Sequence, residues 1–183
     1  MESETIEQRR FTRREYDELV RQGWFEDEPI ELLRGMLVKM SPQGVDHFSI
    51  SVVLANDACP PERFAIATHS PFAASDDSEP EPDVYVFDRE AFDRQLPDRA
   101  LLVVEVSRTS LRRDRSVKLP IYAKNGVPEY WIVNLVDQEV EIHTRPNGDT
   151  YERMELVTMS GALRPQFDPT IAMSSLPWAE PTS

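Results

Sequence analysis

Asp83 and Glu105 lie 22 residues apart, and Lys118 follows Glu105 by 13. Asp83 opens the run "DVYVFD" directly after Pro82. Glu105 sits near the end of "LLVVEVS" (Leu101–Ser107), a run that reads as a strand buried on both faces. A charge taken out of water there costs several kcal/mol unless something compensates it: a cation, a hydrogen-bond network, or a strand end opening into a cleft. The spacing allows one strand, a connection and a neighbouring strand. If the two strands pair, both carboxylates meet at one edge of a sheet, where their repulsion demands a proton or a metal. Oxygen ligands in a partly open cleft suit Mg²⁺ or Mn²⁺ rather than zinc. Lys118 falls on a helix with Asp114 one turn before it and Tyr122 one turn after. Packed back on the sheet, that helix brings the ammonium to the carboxylates, to orient a water or to steady charge on a phosphate. The bland alternatives are a surface lysine paired with Asp114 for Lys118 and, taken alone, a loop-end turn cap for Asp83.

The elements that must position these residues follow from local signals. "TRREYDELVRQ" reads as an amphipathic helix with Thr12 as N-cap, Glu15 completing a capping box, and Tyr16, Leu19 and Val20 on one face. "IELLRGMLVKM" reads as a hairpin around Arg34-Gly35, although Arg34 is a poor first residue for a type I′ turn. "SPQG" is a loop. "DHFSISVVLANDA" is a helix or a strand, ending before Pro60-Pro61. "RFAIATH" and "DVYVFD" are strands on either side of the polar loop "SDDSEPEP". "SLRRDRSVKLPIYAKNG" reads as a helix from about Asp114, with Pro120 near its first turns and Gly126 as its stop. "PEYWIVNL", "EVEIHTR" and "YERMELV" complete the strands, the last two joined by a hairpin at Asn147-Gly148. The order implies a mixed α/β or α+β fold around one sheet.

The chain has 183 residues, 40% of them hydrophobic, which fits one globular domain over 1–183. No apolar run approaches the roughly 18 residues of a membrane span, and "MESETIEQRR" lacks the order of a signal peptide. Cys59 is the only cysteine, which excludes an intrachain disulfide and reads as a half-buried small residue near a turn. A cytoplasmic protein is the expectation. The net charge of −13 argues against a protein that coats nucleic acid. Its distribution is uneven. From Ser107 to Lys124 the six bases Arg108, Arg112, Arg113, Arg115, Lys118 and Lys124 face one acid, Asp114, giving a strip of +5 on a body of −18. Such a strip is a solvated helix face or a surface for a polyanion.

"ELLRG", "MSPQG", "EPEPDVYVF", "LLVVEVSRTSL", "DRSVKLPIYAKNGVPEYWIVNL" and "EIHTRPNGDTY" resemble the Uma-type restriction endonuclease family, a branch of the PD-(D/E)XK nuclease superfamily. The likeness runs from about Phe11 to Leu176, so the ends at 1–10 and 177–183 are expected to be irregular. It implies a restriction-endonuclease-like core, a central mixed sheet flanked by helices. It also implies Pro82-Asp83 as the PD element, Glu105 as the second acid, and a Lys118 supplied from the helix. The wider superfamily places its lysine two residues after the second acid, where this chain has Ser107. Glu31 matches an acid carried before the family's glycine, and His47 a histidine opening the next helix.

The resemblance thus implies a metal-dependent endonuclease acting on DNA. Asp83, Glu105 and the Val106 carbonyl would bind Mg²⁺, with Mn²⁺ able to substitute. Lys118 would hold the attacking water or help deprotonate it. Glu31 would add a water-mediated ligand, His47 would face the substrate, and Arg112, Arg113 and Arg115 would contact phosphates, with Ser107, Asp114 and Tyr122 in support. A duplex cutter with one site per chain also implies a homodimer. The alternative is a module that has lost cleavage and binds nucleic acid, or a protein through exposed aromatics around Tyr130 and Trp131.

Overall fold

A computed structural model describes residues 8–57, 63–91, 95–158, 161–171 and 176. Helix α1 (Arg13–Arg21) begins at the expected capping box, with the Glu15 N–H donating to Thr12 Oγ1 at 3.3 Å and the Thr12 N–H to the Glu15 carboxylate at 2.9 Å. Tyr16 is its buried anchor and donates to the Ile30 carbonyl at 2.6 Å. Leu19 is half-buried, but Val20 is exposed. This short peripheral helix covers only a narrow stripe, so the three residues do not share one buried face.

Strands β1 (Ile30–Leu33) and β2 (Met36–Lys39) form the expected hairpin. Arg34 and Gly35 have φ of 51° and 74°, the type I′ pattern that Arg34 disfavours. The turn is held from outside: the Arg34 N–H donates to Ser78 Oγ at 3.0 Å, and the Arg34 carbonyl accepts from Arg10 at 2.5 Å. Gly35 is required twice over, since a Cβ there would lie 2.5 Å from that of Arg10. Helix α2 (Val45–Asp57) resolves the helix-or-strand alternative as a helix. Its expected stop at Pro60-Pro61, and Cys59, lie outside the described residues.

Strands β3 (Phe64–Thr68), β4 (Val84–Asp88), with a 3₁₀ turn at Arg89–Ala91, and β5 (Leu102–Ser107) follow. Then comes one continuous helical rod: α3 (Leu111–Arg113), a π turn (Asp114–Lys118) and α4 (Leu119–Asn125). The rod starts three residues before the expected Asp114. Pro120 therefore lies inside it rather than in its first turns. It is accommodated by the widened turn before it, in which the Leu119 N–H bonds to the Asp114 carbonyl five residues back. Gly126 ends the rod at φ 83°.

Strands β6 (Glu129–Asn134), β7 (Glu139–Asn147) and β8 (Thr150–Thr158) complete the sheet. Asn147 pairs with Thr150, so the β7–β8 turn residues are Gly148 and Asp149, one step beyond the Asn147-Gly148 reading. Only Gly148 of the two has positive φ, as in a type II′ turn.

The six strands lie in sequence order, β3 to β8, all pairs antiparallel except β5–β6, which are parallel and joined by the rod. This is a mixed sheet of restriction-endonuclease-like architecture. Val84, Val86, Val104 and Trp131 pack with Ile50 and Leu54 of α2 in one core. Tyr85, Val103, Tyr130 and Ile132 pack with Ile121 and Tyr122 of α4 in another. Tyr130 and Trp131 have no exposed surface. They sit on an inner strand covered on both faces and offer nothing to a partner, contrary to the exposed aromatics expected. Among the described residues no helix is long and apolar enough to cross a membrane.

Candidate active site

The β4–β5 ladder ends at Val84 paired with Val104. Asp83 and Glu105 are the next positions of that register, so strand pairing itself brings the two carboxylates to one sheet end. The Val106 N–H donates to Asp83 Oδ2 at 2.6 Å and fixes the junction. The β3–β4 ladder, ending at Thr68 paired with Val84, likewise carries His69 to Asp83. His69 Nδ1 stands 3.4 Å from Asp83 Oδ1, and His47 Nε2, from the first turn of α2, stands 3.0 Å from Oδ2. Gln43, in the loop before α2, donates to Asp83 Oδ1 at 3.4 Å and lies 3.0 Å from His69 Nδ1. Burial works to raise the Asp83 pKa, but the imidazoles of His47 and His69 outweigh it and hold the carboxyl down to about 2.

Glu105 faces the rod. Its Oε1 accepts from Lys118 Nζ at 3.0 Å and from the Tyr122 hydroxyl at 2.6 Å. Lys118 Nζ lies equally 3.0 Å from Oε2 of Glu31 on β1. Lys118 is therefore a bridge between two buried carboxylates and not a surface lysine. Asp114 does not hold it by a hydrogen bond. The Asp114 carboxylate instead accepts from Ser107 Oγ at 2.5 Å and Ser110 Oγ at 2.6 Å. The place of the superfamily's usual strand lysine is thus taken by a serine that ties the rod to β5. Burial pushes the Glu105 pKa well up, against the pull of Lys118 and reinforced by Asp83. Burial also opposes the Lys118 charge, but Glu105 and Glu31 overcome it and hold the lysine as an ammonium.

A cleft runs over this cluster, lined among others by Glu31, Gln43, His47, Asp83, Glu105 and Arg113. Arg113 donates to the Lys39 carbonyl at 3.0 Å and stands 3.9 Å from Glu31. Arg108, at the cleft mouth, pairs with Asp46 at 2.8 Å. Arg112 and Arg115 are not brought to the cleft: Arg112 is exposed outside it, and Arg115 makes a bidentate pair with Glu141. With Lys118 buried, the +5 strip is not one continuous basic surface.

The donor set fits a hard divalent cation. Glu31, Asp83, Glu105 and Asp114 are all buried around one buried ammonium, leaving surplus negative charge, and Glu31 Oε1 is buried without a hydrogen-bond partner. Among the described residues no three His, Cys, Asp or Glu side chains form a ready metal cage. Mg²⁺ does not need one, since it is held by one or two carboxylates and keeps several waters.

Gln43, His69 and Glu81 are cleft or near-cleft residues that sequence reasoning passed over. The Glu81 N–H donates to Glu31 Oε2 at 3.3 Å, and its side chain lines the cleft. Glu81 lies in "EPEPD" and Gln43 in "MSPQG", so both carried a signal in those blocks, whereas His69 reaches the site through a strand register that no short motif encodes.

Among solved structures, the fold is similar to that of a putative nuclease belonging to DUF820 from Anabaena variabilis. The TM-score is 0.64 at 17% identity, over 81% of this chain and 88% of that one. No curated protein matches the chain. The model of the Uma2 family, described as "Putative restriction endonuclease", matches residues 14–174. That match takes in the β1–β2 hairpin, both carboxylate strands and the rod that carries Lys118, and the chain belongs to the Uma2 family.

Proposed function

We propose that this protein is an endonuclease that hydrolyses phosphodiester bonds in DNA with Mg²⁺ as cofactor. The observation that carries this reading is the buried Lys118 ammonium, held 3.0 Å from both Glu105 and Glu31, beside Asp83 and under an open cleft. Asp83, Glu105 and the Val106 carbonyl would hold the ion. When bound, it supplies an activated water and neutralises charge developing on the phosphate. Lys118 keeps its proton and serves as a hydrogen-bond donor to the attacking water or to a phosphate oxygen, which makes it a poor base. Glu31 and the Tyr122 hydroxyl hold Lys118 and Glu105 in place. His47 lines the cleft where a phosphate would sit, His69 backs Asp83 from β3's end, and Arg113 and Arg108 supply positive charge along the cleft.

The test is nicking of supercoiled plasmid with Mg²⁺ or Mn²⁺, with Asp83→Asn as control. Metal-dependent nicking by wild type and its loss in the variant is the expected result. Equal behaviour of the two proteins overturns the reading in favour of a nucleic-acid-binding module without turnover.

A further inference from the structure

Strand β8 closes the sheet, and among the described residues no strand pairs with its outer side. Edge strands are commonly blunted by proline, by a bulge, or by charged side chains, lysine above all, that meet like charges on a second copy. β8 has no proline, lysine or bulge, and its charges are of both signs. Its sequence is "TYERMELVT", and its register with β7 keeps one offset from Glu139–Thr158 to Asn147–Thr150. Two large apolar side chains on it lie open, Met154 (57% exposed) and Leu156 (48%). The charged side chains between and beside them are Glu152, Arg153 and Glu155, and Arg153 pairs with Glu155 at 2.9 Å on the exposed surface.

We propose that the outer edge of β8 joins two copies of this chain, strand to strand and antiparallel, about a two-fold axis through Met154. The strand is its own complement. Met154 is the middle residue of Thr150–Thr158, so full overlap of two such strands is centred on it. That register sets Arg153 opposite the partner's Glu155, and by symmetry Glu155 opposite the partner's Arg153. Glu152 falls opposite the partner's Leu156, Tyr151 opposite the partner's Val157, and no like charges face each other. Opposed charges directly across a strand pair favour it, and like charges disfavour it. Met154 meets its own copy on the axis, as an isologous interface requires. Pairing satisfies the outward N–H and C=O groups of both edges and covers the open apolar side chains. The resulting sheet runs unbroken through both copies.

The experiment is sedimentation velocity of the full chain across a concentration series, comparing wild type, Arg153→Glu, Glu155→Arg and the double swap. These side chains are exposed, and circular dichroism checks that each variant is folded. Wild type is expected to dimerise. Each single change should weaken the dimer by about tenfold, because symmetry places the like-charge pair twice, and the double swap should restore it. Met154→Cys with Cys59→Ser should form a disulfide-linked dimer under mild oxidation, since the two sulfurs meet on the axis. A monomer at all concentrations, a dimer indifferent to the single changes, a double swap that stays weak, or no crosslink would each overturn the proposal.

Discussion

Asp83 and Glu105 occupy the next positions of one antiparallel register, one step beyond the pair of Val84 and Val104. Their meeting is a property of the sheet, while the cation that answers them comes from a different layer. Lys118 reaches Glu105 at 3.0 Å from the rod that crosses between β5 and β6.

Lys118→Ala is expected to cost stability as well as cleavage. It would leave Glu31 and Glu105 buried without their shared cation, a loss of about 3–5 kcal/mol. Urea unfolding in the absence of metal measures this, and plasmid nicking should fall to background. A variant as stable and active as wild type would mean that the ammonium is idle.

Glu105→Gln separates metal binding from structure. The amide oxygen can still accept from Tyr122 and Lys118, and Lys118 keeps Glu31 at 3.0 Å. Because burial already disfavours the Glu105 charge, the metal-free melting temperature should change little. Wild type should gain about 2.7 kcal/mol at a hundredfold excess of Mn²⁺ over Kd, and the variant should gain almost nothing. An equal gain in both proteins would remove Glu105 from the ligand set.

The basic residues divide by geometry. Arg108→Ala should flatten the plot of log DNA affinity against log salt by about one unit. Arg115→Ala should leave the slope unchanged, since Arg115 lies outside the cleft and holds both oxygens of the buried Glu141, whereas Arg108 lines the cleft and its one partner, Asp46, is itself exposed to solvent. Binding titrations over a salt series distinguish the two, and a changed slope for Arg115→Ala would show that its pair with Glu141 opens to DNA.

Glu79 gives a pH dependence away from the cleft. Burial, reinforced by Asp17 and only partly opposed by Arg13 at 4.0 Å, raises its carboxyl to about 7 from the usual 4.5, and its Oε2 is buried without a hydrogen-bond partner. The folded state therefore holds this proton more tightly than the unfolded chain. The stability this confers is complete below pH 4.5 and is lost as pH rises through 7. Glu79→Gln, which does not titrate, should melt higher than wild type at pH 8.5, with the gain vanishing near pH 4.5. Thermal melts at the two pH values test it, and a constant difference would place the Glu79 proton elsewhere.

What the sequence disclosed depended on how local the cause was. The capping box of Thr12 and Glu15 is complete within four residues and could be read directly. The burial of Glu105 was legible because four apolar residues precede it. Arg115 looked like a phosphate contact because its partner, Glu141, lies 26 residues away on β7, and no spacing rule joins a helix to that strand. His69 was invisible for the same reason: its place opposite Asp83 exists only once β3 and β4 are in register. Pro120 misled because a π turn, which nothing in the local composition announces, made room for it inside a helix.

The serine at position 107 has a consequence for how the site assembles. With a strand lysine, acids and cation would arrive together as β4 and β5 pair. Here the pairing of β4 with β5 delivers the two carboxylates without that ammonium, and Glu105 meets its cation only when the rod docks. Sub-global opening of the rod would therefore expose two mutually repelling carboxylates, which makes its closure cooperative with the sheet beneath. Amide hydrogen exchange should show the rod and the adjoining ends of β4 and β5 opening as one unit, with Ser107 and Asp114 as the clasp between them.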